Sequence, residues 1–472
     1  MSEASTEPLH GGDLVAVILA AGKGTRMRSR LPKVLHPVAG KPLIEWVLQA
    51  ARDSGCRRIA VVVGHAADEV RAAVSDEAGD LVWVRQEEQL GTGHALAQVE
   101  PHVAAGTDAG TRLLVLSGDV PLVSPSTLAR LAAAARSGWG AMAVAELAEP
   151  GSLGRVVAGP GGRLARIVEA ADASPEELEG KSINAGIYAL PAAAVFDRLR
   201  ALETDNAKGE YYLTDALTAA AADGREVVLV ALDDPAEALG VNDRRDLARV
   251  HQVLLRRHAE RLMADGVTLL DPERTAIEPS VRVGSDTVIH PGVSLFGDTR
   301  IGRDCLLHQG VWIRDSVLAD GVRVEPYSVL DGAEAASGCT VGPFARLRPA
   351  SVLLPGSRVG NFVELKKTRL GAGSKASHLT YLGDTTVGDG ANIGAGVVTC
   401  NYDGVDKHRT EIGDGAFVGS DTMLVAPVRV GADSVTGAGS VITHDVPAGS
   451  LAVARARQRN IPDWPKRRGR KK

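Results

Sequence analysis

The sequence predicts a chain in two halves: an α/β domain with a mostly parallel sheet, a long connecting helix, and a parallel β-solenoid. Three observations carry this. Small aliphatic residues recur every sixth position through the C-terminal half, a period that neither a helix nor an ordinary strand has. The N-terminal half instead alternates unbroken apolar runs with helical stretches, the pattern of an α/β fold. Between the two, Leu247, Val250, Leu254, His258 and Leu262 stand at helical spacing among many arginines, with Asp243 placed to cap the helix.

Along the chain, Leu14 to Leu19 is a continuous apolar run, as expected of a strand covered on both faces, and Ile59 to Val63 and Leu113 to Leu116 repeat it. Helices are expected at 42–51 and 128–136, and later strands at 141–145, 154–158, 163–168, 183–190 and 227–230. The six-residue beat runs through Ile277, Val283, Ile289, Leu295, Ile301, Leu307 and Ile313, and resumes at Val341, Leu347, Leu353, Val359 and Leu365. A third run goes through Val387, Ile393, Ile412, Val418, Leu424, Val430, Thr436 and Ile442. Three hexapeptides make one triangular coil, with the aliphatic residue inward and a following small residue allowing the corner. The beat breaks twice, over residues 364–381 and at an insertion, 400–407, between Thr399 and Ile412. An insertion in a coil must loop outward, and such loops usually serve function. The expected boundaries are 1–242, 243–265 and 266–472.

With 472 residues there is room for two or three domains, and with 3% aromatics any core is built from Val, Ile, Leu and Ala. The 53 glycines suit tight corners. A net charge of −5 argues against a nucleic-acid or membrane surface. The stretch Lys466 to Lys472 is an exception and reads as a solvated basic tail. Cys56, Cys305, Cys339 and Cys400 lack the close pairing of a metal site and are too scattered for a disulfide framework. Residues 1–13 are polar, the first apolar run stops after Ala21, and no run approaches the ~18–20 apolar residues of a membrane span, so a cytoplasmic location is expected.

The strand ending at Leu19 runs into Ala20-Ala21-Gly22-Lys23-Gly24-Thr25-Arg26-Met27, a glycine-rich turn whose backbone N–H groups can approach phosphates. It has neither the G-K-[ST] of a Walker loop nor the G-x-G-x-x-G of a dinucleotide fold. With Leu31-Pro32-Lys33 just downstream, the sequence resembles the sugar-1-phosphate nucleotidyltransferases, whose signature is a glycine-rich loop, an Arg-Met pair and a Pro-Lys. The likeness extends over nearly the whole chain to a bifunctional bacterial family, an N-acetylglucosamine-1-phosphate uridyltransferase fused to a glucosamine-1-phosphate N-acetyltransferase. That family joins a Rossmann-like domain to a left-handed β-helix and feeds peptidoglycan and other envelope polymers.

For the N-terminal half, the resemblance implies that Leu19, Ala20, Ala21 and Gly22 contact the uridine nucleotide of UTP and that Lys33 neutralises its phosphates. It puts Gln86, Gly91 and Thr92 in a uracil-reading loop, where a Gln amide offers both donor and acceptor. It places N-acetylglucosamine at Gly154, Glu169 and Asn184. Ser117, Gly118 and Asp119 end a buried strand, where α/β folds put their ligands. Asp119 and Asn242 are the implied Mg²⁺ ligands, a set that suits a hard cation completed by substrate phosphates. The family usually has an aromatic where Ser117 stands.

For the C-terminal half, the resemblance makes His378 the general base of acetyl transfer, with Glu364 orienting its ring. Arg348, Lys366, Tyr381 and Asn392 are the implied glucosamine-1-phosphate residues. Ala395, Asn401, Tyr402, Ser420, Ala438 and Arg455 are the implied acetyl-CoA residues, and Trp464 is assigned no role. The family's assembly is a homotrimer with the acyl-CoA groove between neighbouring prisms. A pyrophosphorylase with a purely regulatory β-helix should lack the His378, Tyr381 and Asn401-Tyr402 set. A non-catalytic subunit of the same plan should lack Lys33, Asp119 or the glycine loop. All of these are present.

Overall fold

The computed structural model describes residues 14–464, apart from 77, 104–109 and 152. The polar N-terminus and the basic tail at 466–472 lie outside the described residues. Two compact units divide at Leu254/Leu255, inside the helix Arg244–Ala264. Asp243 caps that helix: its carboxylate accepts from the backbone N–H of Arg245 at 2.7 Å and of Asp246 at 3.1 Å.

The first unit is built on a seven-strand path, Val227–Ala231, Gly140–Glu146, Ser182–Pro191, Arg112–Ser117, Leu14–Ala20, Ile59–Val63 and Leu81–Arg85. Every pairing on this path is parallel except those of Ser182–Pro191, which runs antiparallel to both neighbours. The short strands Arg155–Ala158 and Leu164–Val168 form a hairpin at its side. Leu14–Ala20 is almost wholly buried because helices cover both faces. From this strand the chain first winds outward through Ile59–Val63 and Leu81–Arg85, then returns to the other side with Arg112–Ser117. The reversal leaves a crevice beyond the strand ends, which is where open α/β sheets bind ligands.

The second unit is a left-handed parallel β-helix whose three faces are sheets of eleven, ten and nine short strands. The six-residue beat is its inward column: Ile289, Leu295, Leu307, Ile313, Val341, Leu347, Val359 and Leu365 are all fully buried in one continuous core. Interior Ser and Thr hydroxyls bond onward to the next coil, as when Thr287 donates to the Gly302 carbonyl at 2.9 Å.

Two features of the beat differ from expectation. Between Ile313 and Val341 the coils are not interrupted but shortened, since Ile301 pairs with Leu318 and Leu318 with Ala335, seventeen positions apart instead of eighteen. The expected break at 364–381 has the same cause: Leu353 pairs with Leu370 and Leu370 with Val387, so the core column continues through Leu370, Ala376 and Leu382. One face loses a residue at its corner, which moves the beat without breaking the ladder. The insertion is real. Val387 pairs with Ile412, twenty-five positions on.

Candidate active sites

In the first unit, the crevice is a cavity of about 560 Å³ lined by Leu19 to Arg26, Lys33, Gln86, Gly91, Thr92, Ser117 and Asp119, among others. Leu19 ends the first strand, and its carbonyl accepts from the Gly118 N–H at 2.9 Å, tying the glycine turn to the Ser117-Gly118-Asp119 end. Gly24 sits at φ +59, where a Cβ would lie 2.7 Å from the Cβ of Lys33. The turn therefore folds directly over the lysine. A Cβ on Gly22 would meet nothing within 4 Å, so that backbone borders open space into which a phosphate fits.

Lys33 and Asp119 form an ion pair, each largely shielded from solvent. Arg26 donates to the Asn242 amide oxygen at 2.9 Å, and the neighbouring Val241 N–H donates to the Asp119 carbonyl at 2.9 Å. Asn242 is thus brought to Asp119 from 123 positions away. One carboxylate and one amide oxygen, each now facing a cationic side chain, make a hard-oxygen pair that fits a divalent cation completed by phosphates. Among the described residues no group of three or more His, Cys, Asp or Glu side chains forms a metal cage.

Gln86 is buried, with its amide nitrogen 3.2 Å from the Gly91 carbonyl and 3.0 Å from the His94 ring. Gly91 has φ +110, and a Cβ there would lie 2.6 Å from the Tyr211 carbonyl, so only glycine fits. Thr92 accepts from the Leu213 N–H at 3.1 Å. Gly154, Glu169 and Asn184 form a second group. A Cβ on Gly154 would lie 3.4 Å from the Glu169 carboxylate, and the Gly154 carbonyl accepts from the Asn184 N–H at 3.0 Å. Sequence reasoning missed the residues that fix this group. Tyr188 accepts from the Asn184 amide at 2.7 Å, Thr214 donates to Glu169 at 3.2 Å, and Gly186 closes against Ser117. Burial beside the Glu169 and Asp172 carboxylates raises the Asp215 pKa. No sequence motif advertises these three residues, because they enter through a bulged strand and a helix start.

In the second unit, His378 is exposed at the end of the strand Lys375–His378. Its Nδ1 lies 2.6 Å from the side-chain oxygen of Asn361, its cross-strand partner one coil earlier. With an amide oxygen facing it, Nδ1 carries the proton and Nε2 is left with a free lone pair. Glu364 is not the ring's partner: its carboxylate accepts from Arg348 at 3.1 Å. The amide signal was there in the sequence, since Asn361 stands seventeen residues before His378, one coil back.

Four of the six implied acetyl-CoA residues, Ala395, Ser420, Ala438 and Arg455, form a column along one edge of the prism, beginning beside His378. Ala395 lies one coil beyond His378, and its carbonyl accepts from Asp421 N–H at 2.7 Å, next to Ser420. The Ser420 carbonyl accepts from Gly439 N–H at 2.8 Å, next to Ala438, and Arg455 donates to the Ala438 carbonyl at 2.8 Å. A Cβ on Gly394 would lie 2.6 Å from the Ser420 backbone nitrogen, which is how closely successive coils stack here. At ~4.8 Å per coil, the four steps from His378 to Arg455 span roughly 19 Å. Asn401 and Tyr402 lie apart from that column. Asn401 is buried and donates to Asp384 at 2.6 Å, whereas Tyr402 is exposed and donates to the Gly404 carbonyl at 2.6 Å.

On the adjacent face, Lys366 has its pKa lowered first by the Lys407 ammonium and further by Arg348. Three cations are held together with Glu364 and Asp384 beside them, an arrangement that asks for an anion. Lys407 comes from the inserted loop and was not singled out in the sequence. Asp403 organises that loop, accepting from the N–H groups of Val405 at 2.8 Å and Asp406 at 2.7 Å and from His408 at 2.7 Å. These donors, His408 foremost, hold the Asp403 carboxyl well below its usual range. Tyr381 lies beside Glu364 on the same face, and its hydroxyl meets Gly383 next to the Asn401 amide. Asn392 lies beside Lys375 in the neighbouring sheet.

Residues 16–218 match the family model for the MobA-like NTP transferase domain, and residues 409–444 that for the bacterial transferase hexapeptide (six repeats). Fold and sites together define a nucleotidyltransferase joined to a hexapeptide-repeat acyltransferase. The chain is 50% identical over 454 residues to the "Bifunctional protein GlmU" of Pelobacter propionicus, covering 96% of this chain and 98% of that one. The GlmU protein of Syntrophotalea carbinolica is 50% identical over 454 residues, with 96% and 97% covered, and that of Geobacter metallireducens 47% over 473 residues, with 96% and 98% covered. The chain belongs to the GlmU family. It is a bifunctional uridyltransferase and acetyltransferase of UDP-N-acetylglucosamine synthesis. Among the described residues no helix is long and apolar enough to cross a membrane.

Proposed function

We propose that residues 266–472 transfer acetyl from acetyl-CoA to glucosamine-1-phosphate, and that residues 1–242 then join the product to UTP, releasing pyrophosphate. Residues 243–265 connect the two, and the reactions take place in the cytoplasm. The observation that carries this reading is the column His378, Ala395, Ser420, Ala438 and Arg455. A basic nitrogen stands at one end and a cation at the other, with small side chains between them on which an extended pantetheine chain can lie.

In acetyl transfer, the sugar phosphate sits on Arg348, Lys366 and Lys407, which are crowded together and relieved by an anion. Tyr381 and Asn392 orient the sugar. The His378 Nε2 takes a proton from the amine as it attacks the thioester carbonyl, while Asn361 holds the ring in the starting tautomer. The C–S bond then breaks and CoA leaves as the thiol with that proton. Asn401 and Tyr402 border the acyl-CoA groove from the inserted loop. In uridyl transfer, a phosphate oxygen of N-acetylglucosamine-1-phosphate attacks the α-phosphorus of UTP in line, and the pyrophosphate leaves. The nucleophile is already ionised, so no base is needed, and alignment and charge neutralisation carry the rate. The backbone at Leu19 to Gly22, with Lys33 and Arg26, cradles the phosphates. Gln86 has its amide nitrogen committed to Gly91 and presents its oxygen to the uracil N–H. Ser117 and Gly118 shape the cavity wall, and Gly154, Glu169 and Asn184 hold the N-acetyl sugar. Asp119 and Asn242 would hold Mg²⁺, which supplies positive charge to the developing phosphate oxygens when bound.

The assembly we infer is a homotrimer. Supporting it is an exposed apolar ladder, Tyr327, Phe344, Phe362 and Leu379, running coil to coil beside His378 with its rings stacked at 5.5 and 5.3 Å. A solvated monomer has little reason to keep such a ladder. The test is to supply purified protein with glucosamine-1-phosphate, acetyl-CoA, UTP and Mg²⁺ and to follow intermediates by mass spectrometry. N-acetylglucosamine-1-phosphate should appear before UDP-N-acetylglucosamine. UDP-glucosamine arising first would overturn the order.

A further inference from the structure

One cavity of the β-helix, about 510 Å³, meets the proposed sugar-phosphate seat only at Arg348 and is otherwise lined in part by Trp312, Arg314, Asp331 and Arg346. It opens on the face that carries the sugar-phosphate cations, some coils nearer the N-terminal end. Trp312 pairs with Val329 and Val329 with Arg346, while Arg314 pairs with Asp331. Arg314 and Arg346 are therefore two strand spacings apart and offset by two residues along the strand, roughly 12 Å. Neither makes an ion pair with a carboxylate among the described residues, whereas Arg348 is shared with Glu364. The cavity thus holds two uncommitted guanidinium forks against a single acidic lining group.

The aromatic wall is built as well. Trp312 is half-buried, its ring packed at 5.8 Å against Phe296, and the Arg314 guanidinium lies 4.8 Å from its centroid. A guanidinium stacked on indole presents a flat cationic surface that a planar base can extend. The volume falls within the range of small-molecule sites and far exceeds what a lone phosphate occupies. Two separated guanidiniums, a stacking platform and ligand-sized room together match a base joined to a diphosphate.

We propose that this cavity binds a nucleoside diphosphate, and specifically the UDP-sugar the chain itself makes, so that product occupying it impedes acetyl transfer at the adjoining cation cluster. The kinetic consequence rests on the proposed seat of the sugar phosphate at Arg348, Lys366 and Lys407. The binding does not.

Calorimetric titration of the full-length protein with UDP-N-acetylglucosamine tests it. Two molecules should bind per chain. The double variant Arg314→Gln/Arg346→Gln should weaken one of them at least tenfold and leave the other, and Lys33→Ala should do the reverse. Both arginines are exposed outward positions, and Trp312→Leu provides a second variant with the same expected loss. Inorganic pyrophosphate, which lacks a base, should bind the second site at least tenfold more weakly than UDP. UDP should also inhibit acetyl transfer, and the double variant should need at least tenfold more of it at an unchanged uninhibited rate. One bound molecule per chain, or a second site indifferent to the arginines, overturns the proposal. Equal binding of pyrophosphate reduces the cavity to a plain polyanion patch. Absence of all acetyl transfer would instead count against the reading of the His378 site, leaving the titration to stand or fall alone.

Discussion

The two candidate sites are assembled in opposite ways. In the α/β unit, Lys33, Gln86, Asp119, Asn184 and Asn242 come from distant parts of the chain and meet because the sheet reverses its winding beside Leu14–Ala20. In the β-helix, Asn361, His378 and Ala395 follow one another at seventeen-residue intervals on successive coils. A crevice site depends on the whole sheet, whereas a solenoid site depends on neighbouring coils. Damage to the first should therefore spread, and damage to the second should stay local.

The largest test of that contrast is reciprocal loss. His378→Ala should lower acetyl transfer by about 10²–10⁴-fold, the usual worth of a general base, and leave uridyl transfer within twofold. Asp119→Ala should do the opposite in coupled assays of each half-reaction. A fall in both rates from either change would break the contrast. Next comes Lys407→Ala, which should raise the KM for glucosamine-1-phosphate about tenfold with kcat little changed, since it removes one of three clustered cations. Steady-state kinetics at fixed acetyl-CoA would show the split.

A smaller effect is expected from Asn361→Ala: a drop of about tenfold in kcat for acetyl transfer with normal thermal stability. Asn361→Asp should move the acidic limb of the pH–rate profile to higher pH, because a carboxylate beside the ring favours its charged form and the base must be neutral to act. A profile identical to wild type would remove Asn361 from the mechanism. Fourth, the inserted loop should loosen in acid. Because the folded Asp403 pKa is depressed, its contribution is fully present above the ordinary value of 3.8 and is lost as pH falls through the lower folded value. Amide exchange across residues 401–409, corrected for intrinsic rates, should therefore quicken in strong acid, and Asp403→Asn should abolish that dependence. The smallest effect concerns thiols. Burial pushes the Cys56 pKa up to about 11, so a thiol reagent at pH 8 should label half-buried Cys400 well before Cys56.

The same contrast explains what the sequence made legible. The solenoid announced itself because each coil repeats one short-range rule, and even its shortened coils could have been found by allowing steps of five through Leu318, Ala335, Leu370 and Val387. The buried strands of the α/β unit were readable as apolar runs. Its pairings were not, because Ser182–Pro191 runs antiparallel for reasons of tertiary packing. Tyr188 and Thr214 were missed since neither spacing nor composition marks a residue whose role is to hold another side chain. Glu364 was expected at the imidazole, and the coil register gives that place to Asn361.

The inserted loop leaves the ladder on either side undisturbed: Thr410 pairs back with Thr385 and forward with Val428. Extra length at this corner is therefore invisible to the strand ladder, even though Asn401 and Lys407 reach back to Asp384 and Lys366. Such a corner is a natural grafting point. A foreign segment spliced between Cys400 and Thr410 could give the same scaffold a different acceptor without refolding a single coil.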